Sequence, residues 1–63
     1  MELHIMTATA CEQLANHYKS LSRESGISPE RASLLMNIGK SFTGLATQLD
    51  RLAALMRDEA RAG

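Results

Sequence analysis

The sequence predicts an all-α protein, an antiparallel helical hairpin that assembles into a dimeric helical bundle. We expect a short helix over about residues 8–25 and a long helix over about residues 29–60. Two observations support this fold: apolar residues recur at helical spacing, and one strong break in the pattern divides them. The chain has 63 residues, 44% of them apolar, which is typical of one small folded domain spanning residues 1–63.

The break between the two helices is the segment from Glu24 to Glu30. Gly26 can adopt the positive φ that ends many helices. Ser28 followed by Pro29 is typical of a capping residue and the first position of a new helix. We therefore expect the first helix to end near Glu24 or Ser25 and the second to begin at Pro29.

The first helix has two candidate N-terminal caps. Thr9 and Glu12 have the spacing of a capping box, whereas Thr7 is an alternative cap two residues earlier. The apolar residues that follow have a 3-4-3 spacing and share one helix face: Cys11, Leu14, Tyr18 and Leu21. Residues 1–6 alternate weakly in polarity and are expected to form either a short extended arm or a frayed tail.

The second helix contains an apolar heptad pattern without a change of phase. With the first of them placed at heptad position a, the a and d residues are Leu35, Ile38, Phe42, Leu45, Leu49, Leu52 and Met56. The neighbouring e positions are all small: Ala32, Gly39, Ala46, Ala53 and Ala60. A column of small residues allows another helix to approach closely.

Gly39 and Gly44 lie inside this pattern and disfavour a continuous helix by about 1 kcal/mol each relative to alanine. A break there would give three helices, near residues 8–25, 29–38 and 41–60. A break usually shifts the phase of the apolar pattern. The phase does not change between Leu35 and Met56, so one long helix is favoured.

The unequal helix lengths predict an interface with another chain. A connection of three or four residues makes the helices antiparallel, and the first helix then covers the second only to about Ala46. The expected core of the hairpin comprises Cys11, Leu14, Tyr18, Leu21, Leu35, Ile38, Gly39 and Phe42. The expected protein interface comprises Leu45, Leu49, Leu52, Ala53, Leu55 and Met56.

No pattern in the sequence predicts a catalytic residue, a cofactor or a metal site. Gly39-Lys40-Ser41 matches the end of a phosphate-binding loop, but it lacks the first glycine and the preceding strand. His4, Cys11 and His17 lack the close pairing of zinc ligands, and the last two point to different helix faces. We therefore expect a protein without enzymatic activity.

The charge pattern does not favour a nucleic acid or a membrane as partner. The formal net charge is +0, and the C-terminal Arg51, Arg57 and Arg61 alternate with acidic residues. The longest wholly apolar run, Leu52–Met56, is much shorter than a membrane span. A single cysteine and the lack of a readable secretory signal predict a cytoplasmic protein.

These observations predict a small oligomeric helical protein that acts through protein–protein contact, as an adaptor, a chaperone or a small regulator. A homodimer or higher homo-oligomer is the expected assembly, because most soluble oligomers are homo-oligomers. Two alternatives remain open at this point. One is a dimeric nucleic-acid-binding regulator, and the other is one half of an obligate complex with a different protein.

Overall fold

The computed structural model describes residues 7–62, which form two helices. Helix α1 spans Ala8–Leu21 and helix α2 spans Pro29–Ala62. The two helices pack against each other, and the described part of the chain contains no strand. The predicted all-α, two-helix fold is therefore confirmed, whereas the predicted arm at residues 1–6 lies outside the described residues.

Helix α1 begins at the earlier of its two candidate caps. The side-chain oxygen of Thr7 accepts a hydrogen bond from the backbone N–H of Ala10 at 3.0 Å. This bond satisfies one of the backbone donors that the first turn of a helix leaves without a partner. Thr9 lies inside the helix and is not its cap.

Helix α1 ends at Leu21, three or four residues before the predicted end. The hydroxyl of the capping residue Ser22 donates a hydrogen bond to the carbonyl of Lys19 at 2.6 Å. The amides of Arg23 and Glu24 then donate to carbonyls three residues earlier, which tightens the chain into a turn. The prediction placed the end of the helix by Gly26 alone and missed this local bonding.

The connection between the helices runs from Ser22 to Ser28 and is longer than the predicted three or four residues. Gly26 does adopt a positive φ, of 86°, but it does so inside this connection. A residue with a side chain would be strained in that conformation. The glycine therefore turns the chain toward α2 after α1 has already ended.

Helix α2 begins at Pro29 as predicted and continues without a break to Ala62. The side chain of Ser28 accepts a hydrogen bond from the amide of Arg31 at 3.1 Å, which caps the first turn. Gly39 and Gly44 are both helical. The alternative of three helices is therefore wrong, in agreement with the constant phase of the apolar pattern.

The buried centre of the contact between α1 and α2 is made of small residues. The buried residues are Cys11 and Ala15 on α1, and Gly39 and Ala46 on α2. A Cβ atom added at Gly39 would lie 3.1 Å from the carbonyl oxygen of Ala15 and 2.7 Å from Cγ of Lys19. The absence of a side chain at Gly39 therefore allows the backbones of the two helices to approach each other closely.

The hairpin is a single layer of helices, with overall dimensions of 54 × 26 × 13 Å. Beside the small residues, Tyr18 and Phe42 stack with ring centroids 5.8 Å apart, and both side chains are half-buried. No leucine, isoleucine, phenylalanine or methionine among residues 7–62 is buried. Because globular domains usually pack at least two layers around a core, most of the apolar side chains here lack a second layer.

Candidate protein interface

The contact through small residues determines which side of α2 faces α1 and which side, with the exposed large apolar residues, does not. Gly39 and Ala46, both at heptad position e, are buried against α1. The d position precedes e by one residue and is rotated from it by about 100° around the helix axis. The leucines and the isoleucine at position d are therefore turned to one side of the hairpin and do not lie between its helices.

The exposed large apolar residues of α2 lie along this side, and we call them the apolar stripe. Its six members are 40–58% exposed: Leu34, Ile38, Leu45, Leu52, Leu55 and Met56. Between Leu34 and Met56 the stripe extends about 33 Å along the helix. Six large apolar side chains exposed on one side of a helix are unusual on the surface of a monomeric protein and are typical of an interaction site.

All six residues of the predicted protein interface lie outside the buried contact between the two helices. Leu49 is half-buried, and the remaining five are exposed, namely Leu45, Leu52, Ala53, Leu55 and Met56. The last buried residue of α2 is Ala46, at the position where the sequence predicted that coverage by α1 would end. Beyond Ala46, the side chains of α2 are exposed except for half-buried Leu49 and Ala54.

The predicted hairpin core differs from the observed one. Of its eight residues, Cys11 and Gly39 are buried, while Leu14, Tyr18, Leu21, Leu35 and Phe42 are half-buried. Ile38 was expected in the core but is 40% exposed, because α1 packs on position e and leaves position d open. Leu34, at 58% exposure, belongs to the apolar stripe and was not predicted there. The column of small residues at heptad position e was the signal in the sequence that could have predicted the exposure of Leu34.

The side of the hairpin away from the apolar stripe has a polar link between the helices. Nζ of Lys19 donates a hydrogen bond to the hydroxyl of Thr43 at 2.9 Å, and that hydroxyl donates to the carbonyl of Gly39 at 3.3 Å. Lys19 therefore lies across the Gly39 contact and covers it. This link leaves the two sides of the hairpin chemically different, one apolar and one polar.

The C-terminal arginines do not form a separate basic surface. Arg61 makes an ion pair with Asp58, one turn earlier on α2, and both side chains are exposed. Such a pair contributes little to stability, but it reduces the positive charge offered to a phosphate. Arg51 and Arg57 are exposed and lie next to Asp50 and Asp58 in the chain.

The described residues form no cavity and no cluster of side chains that could hold a metal ion. Cys11 is buried between the helices, whereas His17 is exposed with its ring 5.5 Å from that of Tyr18. The third candidate ligand, His4, lies outside the described residues. Neither α1 nor α2 combines the length and the apolar character needed to cross a membrane.

Comparisons with known proteins identify no relative of the chain. No family model, no curated protein and no solved structure matches it. The apolar stripe and the packing of the two helices are therefore the features from which a function can be argued.

Proposed function

We propose that this protein is a non-enzymatic helical protein that acts through protein–protein contact along the apolar stripe, and that it binds a second copy of itself there. As a dimer it would serve as an adaptor, a chaperone or a small regulator. The observation that carries this proposal is the burial pattern. The residues that the hairpin buries completely are all small, and six large apolar side chains remain 40–58% exposed.

The free energy of burial supports a partner for this surface. Complete burial of a leucine, isoleucine or methionine side chain contributes ~1.5–3 kcal/mol. The small residues of the hairpin contact bury much less apolar area per side chain, and domains of this size have only a few kcal/mol of net stability. Covering the apolar stripe would therefore add an amount comparable to the whole stability of the hairpin.

A second copy is the most economical partner, because it presents an identical apolar stripe. Closed two-fold dimers are the commonest oligomers, and their interfaces pair one surface patch with itself. A stripe of apolar residues flanked by polar ones on a single helix is suited to this, since two such helices can pack side by side. The result would be a bundle of four helices in two layers.

The substitution Leu52→Glu tests this proposal. Leu52 lies beyond the part of α2 that α1 covers, and it continues the apolar stripe at 51% exposure. Burying a carboxylate there without a partner would cost several kcal/mol, and a symmetric dimer would incur this cost twice. We expect light scattering to show a shift from dimer to monomer, with lower helicity at micromolar concentration.

The matched control is Thr47→Glu, which places the same charge on the exposed polar side of α2. We expect this variant to keep the mass and the helicity of the wild type. A wild-type protein that is monomeric and well folded at all concentrations would refute self-association. A monomer that is poorly folded alone would instead indicate that the stripe binds a different protein.

A further inference from the structure

We propose that two copies pack through their apolar stripes with the α2 helices antiparallel, related by a two-fold axis close to Leu45. In this arrangement, Arg31 of each copy lies beside Glu59 of the other, and each α1 covers the C-terminal half of the other copy's α2. This inference rests on the proposed self-association and adds its direction and its register. Three independent features of the chain support it.

The first feature is the length of the helices. Helix α1 has 14 residues and α2 has 34, which correspond to about 21 Å and about 51 Å. One α1 therefore covers less than half of α2, whereas two placed end to end would cover about 42 Å of it. An antiparallel dimer places its two α1 helices at opposite ends of the bundle. A parallel dimer would place both at the same end and leave both C-terminal halves uncovered.

The second feature is the symmetry of the apolar stripe about Leu45. Ile38 and Leu52 lie seven residues before and after it, and Leu34 and Met56 lie eleven residues before and after it. All five side chains are exposed. When two such stripes run in opposite directions about Leu45, each of these five residues meets another of the five, and Leu55 meets half-buried Leu35. An antiparallel dimer therefore pairs five of the six stripe residues with one another.

The third feature is the charge at the two ends of the stripe. Arg31 and Glu59 lie fourteen residues before and after Leu45 and share its heptad position. Both are exposed, and the ion pair found among residues 7–62 involves neither of them. An antiparallel dimer brings Arg31 next to Glu59 of the second copy at both ends. A parallel dimer would instead place like charges together, which is unfavourable.

Charge reversal tests the direction of packing. In the antiparallel dimer, Arg31→Glu and Glu59→Arg each create two repulsive contacts, and we expect each to weaken the dimer about tenfold at low ionic strength. The double variant restores two attractive contacts and should recover the wild-type dissociation constant. Sedimentation measures the dissociation constants of the wild type, the two single variants and the double variant. Arg51→Glu, on the polar side, makes the same change in net charge as Arg31→Glu and is its control. Single variants as tight as the wild type would overturn the inference.

Distances between spin labels provide a second readout that does not depend on charge. Ser33→Cys and Thr47→Cys place labels on the exposed polar side of α2, at the same heptad position. In the antiparallel dimer the two Ser33 labels are separated along the bundle by about 36 Å and the two Thr47 labels by about 6 Å. Wild-type protein, whose Cys11 is buried, gives the background.

The outcomes separate this inference from the proposed function. A Ser33 distance clearly longer than the Thr47 distance, together with rescue by the double charge reversal, would support the antiparallel arrangement. Equal distances at the two positions would overturn it and leave self-association standing, because a parallel dimer is then the assembly. A protein without any dipolar signal and with a monomeric mass would overturn both.

Discussion

Gly39 shows how a single residue can determine the geometry of the hairpin. An added Cβ there would lie 2.7 Å from Cγ of Lys19 and 3.1 Å from the carbonyl oxygen of Ala15. Real Cβ atoms do not approach other atoms as closely as the first of these distances, so α1 or the Lys19 side chain would have to move. The second glycine inside α2, Gly44, has nothing within 4 Å of the equivalent position. The same residue type therefore serves packing at one position and has no packing role at the other.

We expect Gly39→Leu to destabilise the protein by ~1–3 kcal/mol, because a large side chain overpacks the contact with α1. The matched control is Gly44→Ala, which should stabilise α2 by up to ~1 kcal/mol, since alanine is the better helix former and space is available. Chemical denaturation of the two variants measures both changes. A Gly39→Leu protein as stable as the wild type would show that the close approach at Gly39 contributes nothing to the fold.

At the scale of the helices, the sequence predicted α2 better than α1. Ser28 and Pro29 give an unambiguous start, and the constant phase of the apolar residues correctly predicted a helix that continues through Gly39 and Gly44. The predicted end of α1 lies three or four residues after the observed one, because the prediction rests on Gly26 as the residue that ends the helix. The actual stop depends on hydrogen bonds around Ser22, which many sequences could form and which leave no distinctive pattern.

We expect Ser28→Ala to destabilise the protein by ~1 kcal/mol, because it removes the side-chain acceptor for the amide of Arg31. The control is Ser33→Ala, at an exposed position inside the same helix, where alanine should be neutral or slightly stabilising. Thermal unfolding followed by circular dichroism compares the two. Equal melting temperatures for both variants would mean that water caps α2 as well as Ser28 does.

At the scale of the whole molecule, the hairpin followed from the sequence, but the side on which its apolar residues lie did not. The heptad pattern suggested that positions a and d would face α1, and it therefore placed Ile38 in the core. In the structure the small e column takes that place, because Gly39 and Ala46 permit a closer approach than any leucine. The face of α2 that packs against α1 depends on how the side chains of both helices fit together. The apolar pattern of one helix does not contain that information.

If folding and assembly are coupled, the melting temperature should depend on protein concentration. For a dimer of two such chains, a hundredfold increase in concentration adds ~2.7 kcal/mol and should raise the melting temperature by about 10 °C. Calorimetry at two concentrations measures this shift. The Leu52→Glu protein is the reference, since a monomer should melt at the same temperature at both concentrations. A wild-type protein with a constant melting temperature would contradict the coupling.

The single-layer architecture also affects how long an unpaired copy would persist. The segment of α2 after Ala46 contains no buried residue, and a helical segment of that length is only marginally stable in water. Its backbone would open often, and proteases cleave chains that open. Unpaired copies would therefore be degraded, and the protein would accumulate only when its concentration is high enough for most copies to pair. In this way the shape of the hairpin would couple the lifetime of each chain to the abundance of the complex.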